Sequence, residues 1–277
     1  MGALSILNNI SALEAQNSLS TTQMGLNSTL QALSTGQRIN SGADDPAGLA
    51  IANGLEANVT ALTQSARNAT DGVGMLQVAD GALSQITTLL NTAVSLATEA
   101  ATGTVSDSQR SALDAQFTSI KNEITDIGAN TTYNGQAIFA ASTLTIFMSD
   151  SSSAGTTTVT VGMVTVDAGH LNGVSLTADA LTTETAATSA LKDINTAIAD
   201  VAALRGTLGA SSNQLSSASN VMGVQITNLQ NAESGIMDAN MGTETSDLSK
   251  FSILQQTGIA ALQQSNQMQQ SVLKLLQ

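Results

Sequence analysis

Few residues in this 277-residue chain are equipped for chemistry. Cysteine is absent, which removes disulfides, thiolate metal sites and cysteine nucleophiles together. His170 is the only histidine, so zinc held by a histidine pair is ruled out. A Ser-His-Asp set would rest on that one residue of the turn DAGHLNG, which reads instead as a solvated turn position. The other concentration of suggestive residues is LSTGQRINSGADDPAGLAIANGL, residues 33–55, with several glycines, an acid pair and the sole proline. A calcium loop needs alternating oxygen ligands closed by a glutamate, and Asn40, Asp44 and Asp45 do not alternate. A phosphate loop needs a preceding strand, and Gly36, Gly42 and Gly48 match neither nucleotide fingerprint. A junction between two helices accounts for every residue. Gly36 ends the first helix, Asp45 caps the second, and Pro46 occupies its first turn, where a missing N–H costs nothing. Arg38, Asn40 and Asp44 lie within that junction. No catalytic residue, cofactor site or metal site is expected.

The elements such a junction joins are written in the apolar periodicity. With one proline in the chain, nothing interrupts long helices. Leu55, Leu62, Ala69, Leu76, Leu83, Leu90 and Ala97 recur at heptad spacing. Their seam partners are Ala52, Val59, Ala66 and Val73 at first, then Ala79, Ile86, Ala93 and Ala100. That change of side is the drift of a nearly straight helix carrying a heptad pattern. A second seam, Ile194, Val201, Leu208, Leu215, Met222, Leu229 and Ile236, has the same period and should pack against the first. A shorter helix runs from Ser106, which has capping-box spacing to Gln109, to a stop at Gly128. Residues 133–176 change to β-branched runs, LTIFM, TTTVTVGMVTV and VSLT, which predict a small β-hairpin element with the polar turn SSSAGTTT exposed.

The two ends differ from the middle. Residues 3–34 carry Leu4, Leu7, Ile10, Leu13, Leu19, Leu26, Leu30 and Leu33 at helical spacing. Residues 244–277 carry Leu248, Phe251, Leu254, Leu262, Met268, Val272, Leu275 and Leu276 beside a Gln-rich face. A lone pair of such helices leaves half of each apolar stripe wet, so these ends call for copies of themselves. The fold class is therefore mainly α, a long antiparallel helical bundle or coiled coil with a small β-hairpin region and terminal helices paired as a coiled coil. Two domains are expected: residues 1–42 with 240–277, and residues 43–239 with a β-hairpin insert at about 133–178.

Composition narrows the function classes. The net charge of -13 and the scatter of eight basic residues leave no patch for nucleic acid. The first basic residue is Arg38, so the start lacks the basic and apolar regions of a cleavable secretory signal. No apolar run approaches the roughly 18 residues of a membrane span.

The stretch LSTGQRINSGADDPAGLAIANGLEANVTALTQSARNATDGVGMLQVADGALSQI closely resembles the bacterial flagellins, as do TTYNGQAIF, LRGTLGASSNQL and TETSDLSKFSILQQTGIAALQQSNQMQQSVLKLL. The likeness covers residues 1 to about 140 and 185–277, with the remainder similar to the family's hairpin region without large outer domains. It implies a structural subunit that self-assembles into the extracellular flagellar filament used for swimming. The hook-filament junction protein is the alternative, and the QSNQMQQSVLKLL ending favours flagellin. An enzyme displayed on the filament would require a HExxH motif, which is absent.

The resemblance also implies an inner tube of terminal helices, here Leu4, Leu7, Ile10, Leu19, Leu26, Leu33, Phe251, Leu254, Leu262, Met268, Val272 and Leu275. It makes the junction, Gly36 to Pro46, a spoke, and routes export through the flagellar type III apparatus without a cleaved signal. An export chaperone covering residues 244–277, junction proteins and a filament cap are the implied partners; nucleic acid and membrane insertion are not. Ser151, Ser152, Ser153, Thr156, Thr157 and Thr158 are candidate O-glycan acceptors. Two departures stand out. The chain ends in Gln277 where relatives commonly carry a basic residue. Thr92, Val94 and Ser95 replace charged residues that relatives present to the vertebrate flagellin receptor, while Leu96 matches.

Overall fold

The computed structural model describes residues 9–140, 143–149, 158–162, 164–171 and 174–275. Five helices appear among them: α1 (Ile10–Thr35), α2 (Pro46–Ala100), α3 (Asp107–Asn130), α4 (Glu184–Met237) and α5 (Met241–Leu275). Between α3 and α4 lie six short strands, β1 (Thr132–Tyr133), β2 (Gln136–Ala137), β3 (Thr143–Phe147), β4 (Thr158–Gly162), β5 (Val166–Asp167) and β6 (His170–Leu171). The chain divides into one compact unit of residues 1–57 with 228–277 and another of residues 58–227. Helices α2 and α4, of 55 and 54 residues, each contribute to both.

In the central unit the heptad seams form the core. Leu62, Ala69, Leu76, Leu83, Leu90 and Ala97 of α2 are buried, as are Ile194, Val201, Leu208, Leu215 and Met222 of α4. Burial of each leucine contributes about 1.5–3 kcal/mol. The change of seam side in α2 comes earlier than the apolar residues suggest. Val59, Ala66 and Val73 are only half-buried, whereas Ser65 and Gly72 are buried, in line with Ala79, Ile86, Ala93 and Ala100. The reason is that β3 lies over this line. Ser65 donates its hydroxyl to the Ser149 carbonyl at 3.1 Å, and a side chain at Gly72 would collide with Ile146.

Helix α3 starts where the capping signal predicts, with the Gln109 side chain accepting from the Ser106 N–H at 2.9 Å. Phe117 and Ile124 bury one face, and the guanidinium of Arg110, itself buried, caps the end of α2 through the carbonyls of Ala100 and Thr102. A cation there complements the helix dipole. The stop expected at Gly128 is two residues off. The helix continues to Asn130 because Gly128 is a packing glycine, buried, with the Val166 carbonyl in the space a Cβ would take.

Among the described residues the expected β-hairpin is the pair β3–β4, and two further two-stranded antiparallel pairs, β1–β2 and β5–β6, accompany it. The pair β3–β4 runs from Thr143↔Gly162 to Phe147↔Thr158 and buries Ile146, Val159 and Val161 on one face. The pair β1–β2 closes through Asn134 and Gly135 at φ 50° and 78°, the positive angles that a tight two-residue hairpin turn requires. The pair β5–β6 turns through Ala168 and Gly169, and VSLT contributes one isolated bridge, Leu171↔Val174, instead of a strand.

Candidate functional site

The unit built from both ends of the chain carries the features singled out in the sequence. Helix α1 opens on Asn9, whose side-chain oxygen accepts from the Ala12 N–H at 3.0 Å. It closes on Gly36, in the left-handed region at φ 73°, whose N–H returns to the Ala32 carbonyl. Helix α5 runs antiparallel to it. Asn9 donates to Gln269 at 3.1 Å and accepts from Ser265 at 3.1 Å, while Gln255 donates to Gln23 at 2.7 Å. The Phe251 ring occupies the notch left by Gly25, where a Cβ would stand 2.6 Å from it, and Leu19 lies against Gly258.

This seam is a heptad pattern diluted with polar and small residues. On α1, Leu19, Leu26 and Leu33 alternate with Ala15, Thr22 and Thr29; on α5, Leu248, Gln255, Leu262 and Gln269 alternate with Phe251, Gly258 and Ser265. Only Thr29 and Ala32 of α1 and Ser265 of α5 are buried among the described residues. The inner-tube stripe named from the sequence is thereby divided. Leu19, Leu26, Leu33, Phe251 and Leu262 are half-buried in the intrachain seam, whereas Ile10, Leu254 and Met268 are exposed, Ile10 by 66%. Leu4 and Leu7 lie outside the described residues, as do the side chains of Val272 and Leu275. Further exposed apolar residues belong with the outward set: Leu13, Met24, Leu30, Ile253 and Ile259. Sequence periodicity picks out Leu13 and Leu30 but not Met24, Ile253 or Ile259, and it does not say which residues the partner helix covers.

The junction is built as its residue types require. Asp45 accepts from the N–H groups of Ala47 and Gly48 at 3.1 and 2.9 Å, and Pro46 begins α2. Asp44 accepts from the Ser41 hydroxyl and from the N–H groups of Ser41 and Asn40, so its carboxyl is held below the usual range. Asn40 donates back to the Gln37 carbonyl at 2.7 Å. Arg38 gives its N–H to the Met237 carbonyl at 2.6 Å and its guanidinium to the Ile236 carbonyl at 2.7 Å, and Ala239 returns an N–H to Gly36. A short antiparallel bridge thus ties residues 36–38 to 237–239. Ile39, 2% exposed, is the buried plug that the sequence reading missed; it packs beneath Gly48.

Among the described residues, no histidine, acid and nucleophile come together as a catalytic set. His170 is exposed on β6, 3.2 Å from the Asp167 carboxylate, and no described cluster of His, Asp and Glu could hold a metal ion. No helix among the described residues is long and apolar enough to cross a membrane. Of the candidate acceptors, Thr158 opens β4 and is exposed; Ser151, Ser152, Ser153, Thr156 and Thr157 lie outside the described residues. On α2, Thr92 and Ser95 are exposed and Val94 and Leu96 half-buried.

Two family models match: the bacterial flagellin N-terminal helical region over residues 6–143 and the C-terminal helical region over residues 191–276. A flagellin of Halalkalibacterium halodurans is 32% identical across 91% of this chain and 94% of its own length. A flagellin of Listeria monocytogenes is 33% identical across 97% of this chain and 98% of its own. A solved structure provisionally assigned as a flagellar hook-associated protein of Vibrio parahaemolyticus superposes with TM-score 0.59 on 70% of this chain and 100% of its own. At 13% identity that likeness speaks for the fold alone.

Proposed function

The chain belongs to the bacterial flagellin family, and from that premise we propose how it works as a structural subunit of the extracellular flagellar filament. It is not an enzyme. The observation that carries the assembly mechanism is the outward apolar set on α1 and α5, with Ile10, Leu13, Met24, Ile253 and Met268 each more than half exposed. A periodic apolar surface on a helix pair with few charged residues is covered best by the same surface repeated. The helix pair also has two unlike flanks. The heptad phase puts Ser11, Ser18 and Ala261 on one side, where with Glu14, Ala15, Leu254 and Gly258 they line a groove of about 440 Å³. It puts Leu13, Leu30 and Ile259 on the other side. Knobs on one flank and a groove on the opposite one favour head-to-tail contact, and such contacts build open helical polymers rather than closed dimers.

In this reading the terminal pair, with its thin intrachain seam, gains most of its order from neighbouring copies and forms the inner tube. The bridged junction from Gly36 to Pro46 acts as the spoke holding the tube to the bundle. Export proceeds through the flagellar type III apparatus, with a chaperone covering residues 244–277 beforehand. Junction proteins and a cap bound the finished filament.

Seeded or salt-induced polymerisation of the purified chain, followed by negative-stain electron microscopy and circular dichroism, tests the mechanism. Long uniform filaments with a rise in helix signal are expected. Filaments that form with no gain in helix signal would refute the coupled ordering of the ends.

A further inference from the structure

A cleft of about 800 Å³ opens within the central unit, a volume in the range of small-molecule sites. Its floor is α2, at Asn68, Asp71, Gly72 and Met75. One wall is the β1–β2 turn and the other is β3. This chain has a single tyrosine and four phenylalanines, and the cleft takes Tyr133 on one wall and Phe147 on the other. Phe147 is the phenylalanine left 40% exposed, whereas Phe117 and Phe139 are buried. The Tyr133 ring rests over Gly74 of α2, its hydroxyl 3.3 Å from where a Cβ would be, so the missing side chain lets the ring lie close to the helix.

Polar groups line the cleft as well. Among the described residues, the carboxylate of Asp71 and the amides of Asn134 and Gln136 make no hydrogen bond. Asn68 is already engaged, donating to the Phe147 carbonyl and accepting from Gln64, and so helps hold the β3 wall in place. Among the described residues, Asp71 is the only charged group lining the cleft, with no lysine or arginine there. On a chain of net charge -13, that repels anions. A ligand that shows apolar C–H faces to the aromatic residues and hydroxyls to the amides and the carboxylate suits this lining, and an anion does not.

We propose that the cleft between α2, the β1–β2 turn and β3 binds a neutral oligosaccharide. Its sugar C–H faces pack on Tyr133 and Phe147, and its hydroxyls bond to Asp71, Asn134 and Gln136. The inference does not depend on the assembly mechanism, because the cleft belongs entirely to the central unit.

Saturation-transfer NMR and titration calorimetry on the full-length, glycan-free recombinant chain test it, with maltotriose, cellotriose and chitotriose as neutral probes and a sialylated trisaccharide as the anionic one. Millimolar binding of at least one neutral probe is expected, with transfer to its ring C–H protons. Tyr133→Ala and Phe147→Ala should each weaken binding about tenfold. Tyr133→Phe should retain most of it and Asp71→Asn should weaken it severalfold, with the helix signal unchanged. Should Tyr133→Ala disturb its hairpin, Phe147→Ala and Asp71→Asn report from the other two sides. Absence of transfer to every neutral probe, or affinity indifferent to Phe147→Ala and Asp71→Asn, overturns the proposal. So does tighter binding of the sialylated probe.

Discussion

The two seams of this molecule share a heptad period and differ in what fills it. In the central unit, Leu76, Leu83, Ile86 and Leu90 of α2 are at most 2% exposed. In the terminal pair the same positions alternate leucine with glycine, serine, threonine and glutamine, and the leucines stay half-buried. The first seam satisfies itself within one chain. The second does not, and its surplus of apolar surface faces outward. The same sequence period thus encodes a monomeric core in one region and an unfinished one in the other, and the residues at the alternate positions decide which.

If that contrast is right, substitutions should sort by unit. Leu262→Asp puts a carboxylate into the thin seam and should abolish filament yield while the thermal melt of the central unit stays unchanged; undiminished filament yield in sedimentation assays would break the comparison. Leu83→Ala should do the reverse at the monomer level, costing about 3 kcal/mol in denaturant unfolding. Gly128→Ala sharpens the picture of the central unit, because β5 must shift to admit a methyl group; a loss of about 1–3 kcal/mol is expected. Arg205→Ala removes a bidentate pair with Asp80, at 2.7 and 3.2 Å, yet both partners remain partly open to solvent. Less than about 1 kcal/mol should be lost, and salt should erase most of the difference.

The smallest effect concerns pH. Burial, reinforced by Asp193 and opposed by Lys121, raises the Asp179 carboxyl above its usual range, and one of its oxygens is buried without a partner. A carboxyl raised in the folded state binds its proton more readily there than in the unfolded chain. Its favourable contribution is present below the unfolded pKa of about 4 and disappears as pH rises through the higher folded value. Asp179→Asn should therefore melt slightly later than the parent at pH 7, with the advantage fading on acidification. A melting curve identical to the parent's at pH 7 would remove the penalty assigned to this residue.

What the sequence reveals depends on how local the signal is. The long seams and the junction were legible because periodicity and capping are properties of a few consecutive residues: Gly36, Asp45 and Pro46 each do what their covalent structure prescribes. The β region was legible in part: the β-branched runs give β3 and β4, whereas the two-residue strands have no period to detect. Its clearest mark, the Asn134–Gly135 turn, was overlooked in favour of the β-branched runs. Gly128 was misread as a helix stop because the carbonyl of Val166 that demands a glycine is distant in sequence. The division of the terminal stripe into inward and outward residues was likewise hidden, as it depends on which side α5 approaches. The Tyr133–Phe147 cleft gathers residues from three elements and leaves no motif.

The pairing of α1 with α5 also sets a schedule. Their hydrogen bonds join residues 232 to 260 positions apart, close to the whole length of the chain. At synthesis rates of about 5–20 residues per second, the first helix made waits roughly 10–50 s for the last. Throughout that interval no intrachain partner for its leucines exists, and loop closure over such a span must be paid before any contact repays it. The helix that begins the chain is thus the last to find its place, which leaves it extended and unpaired for as long as the rest of the molecule is still being made.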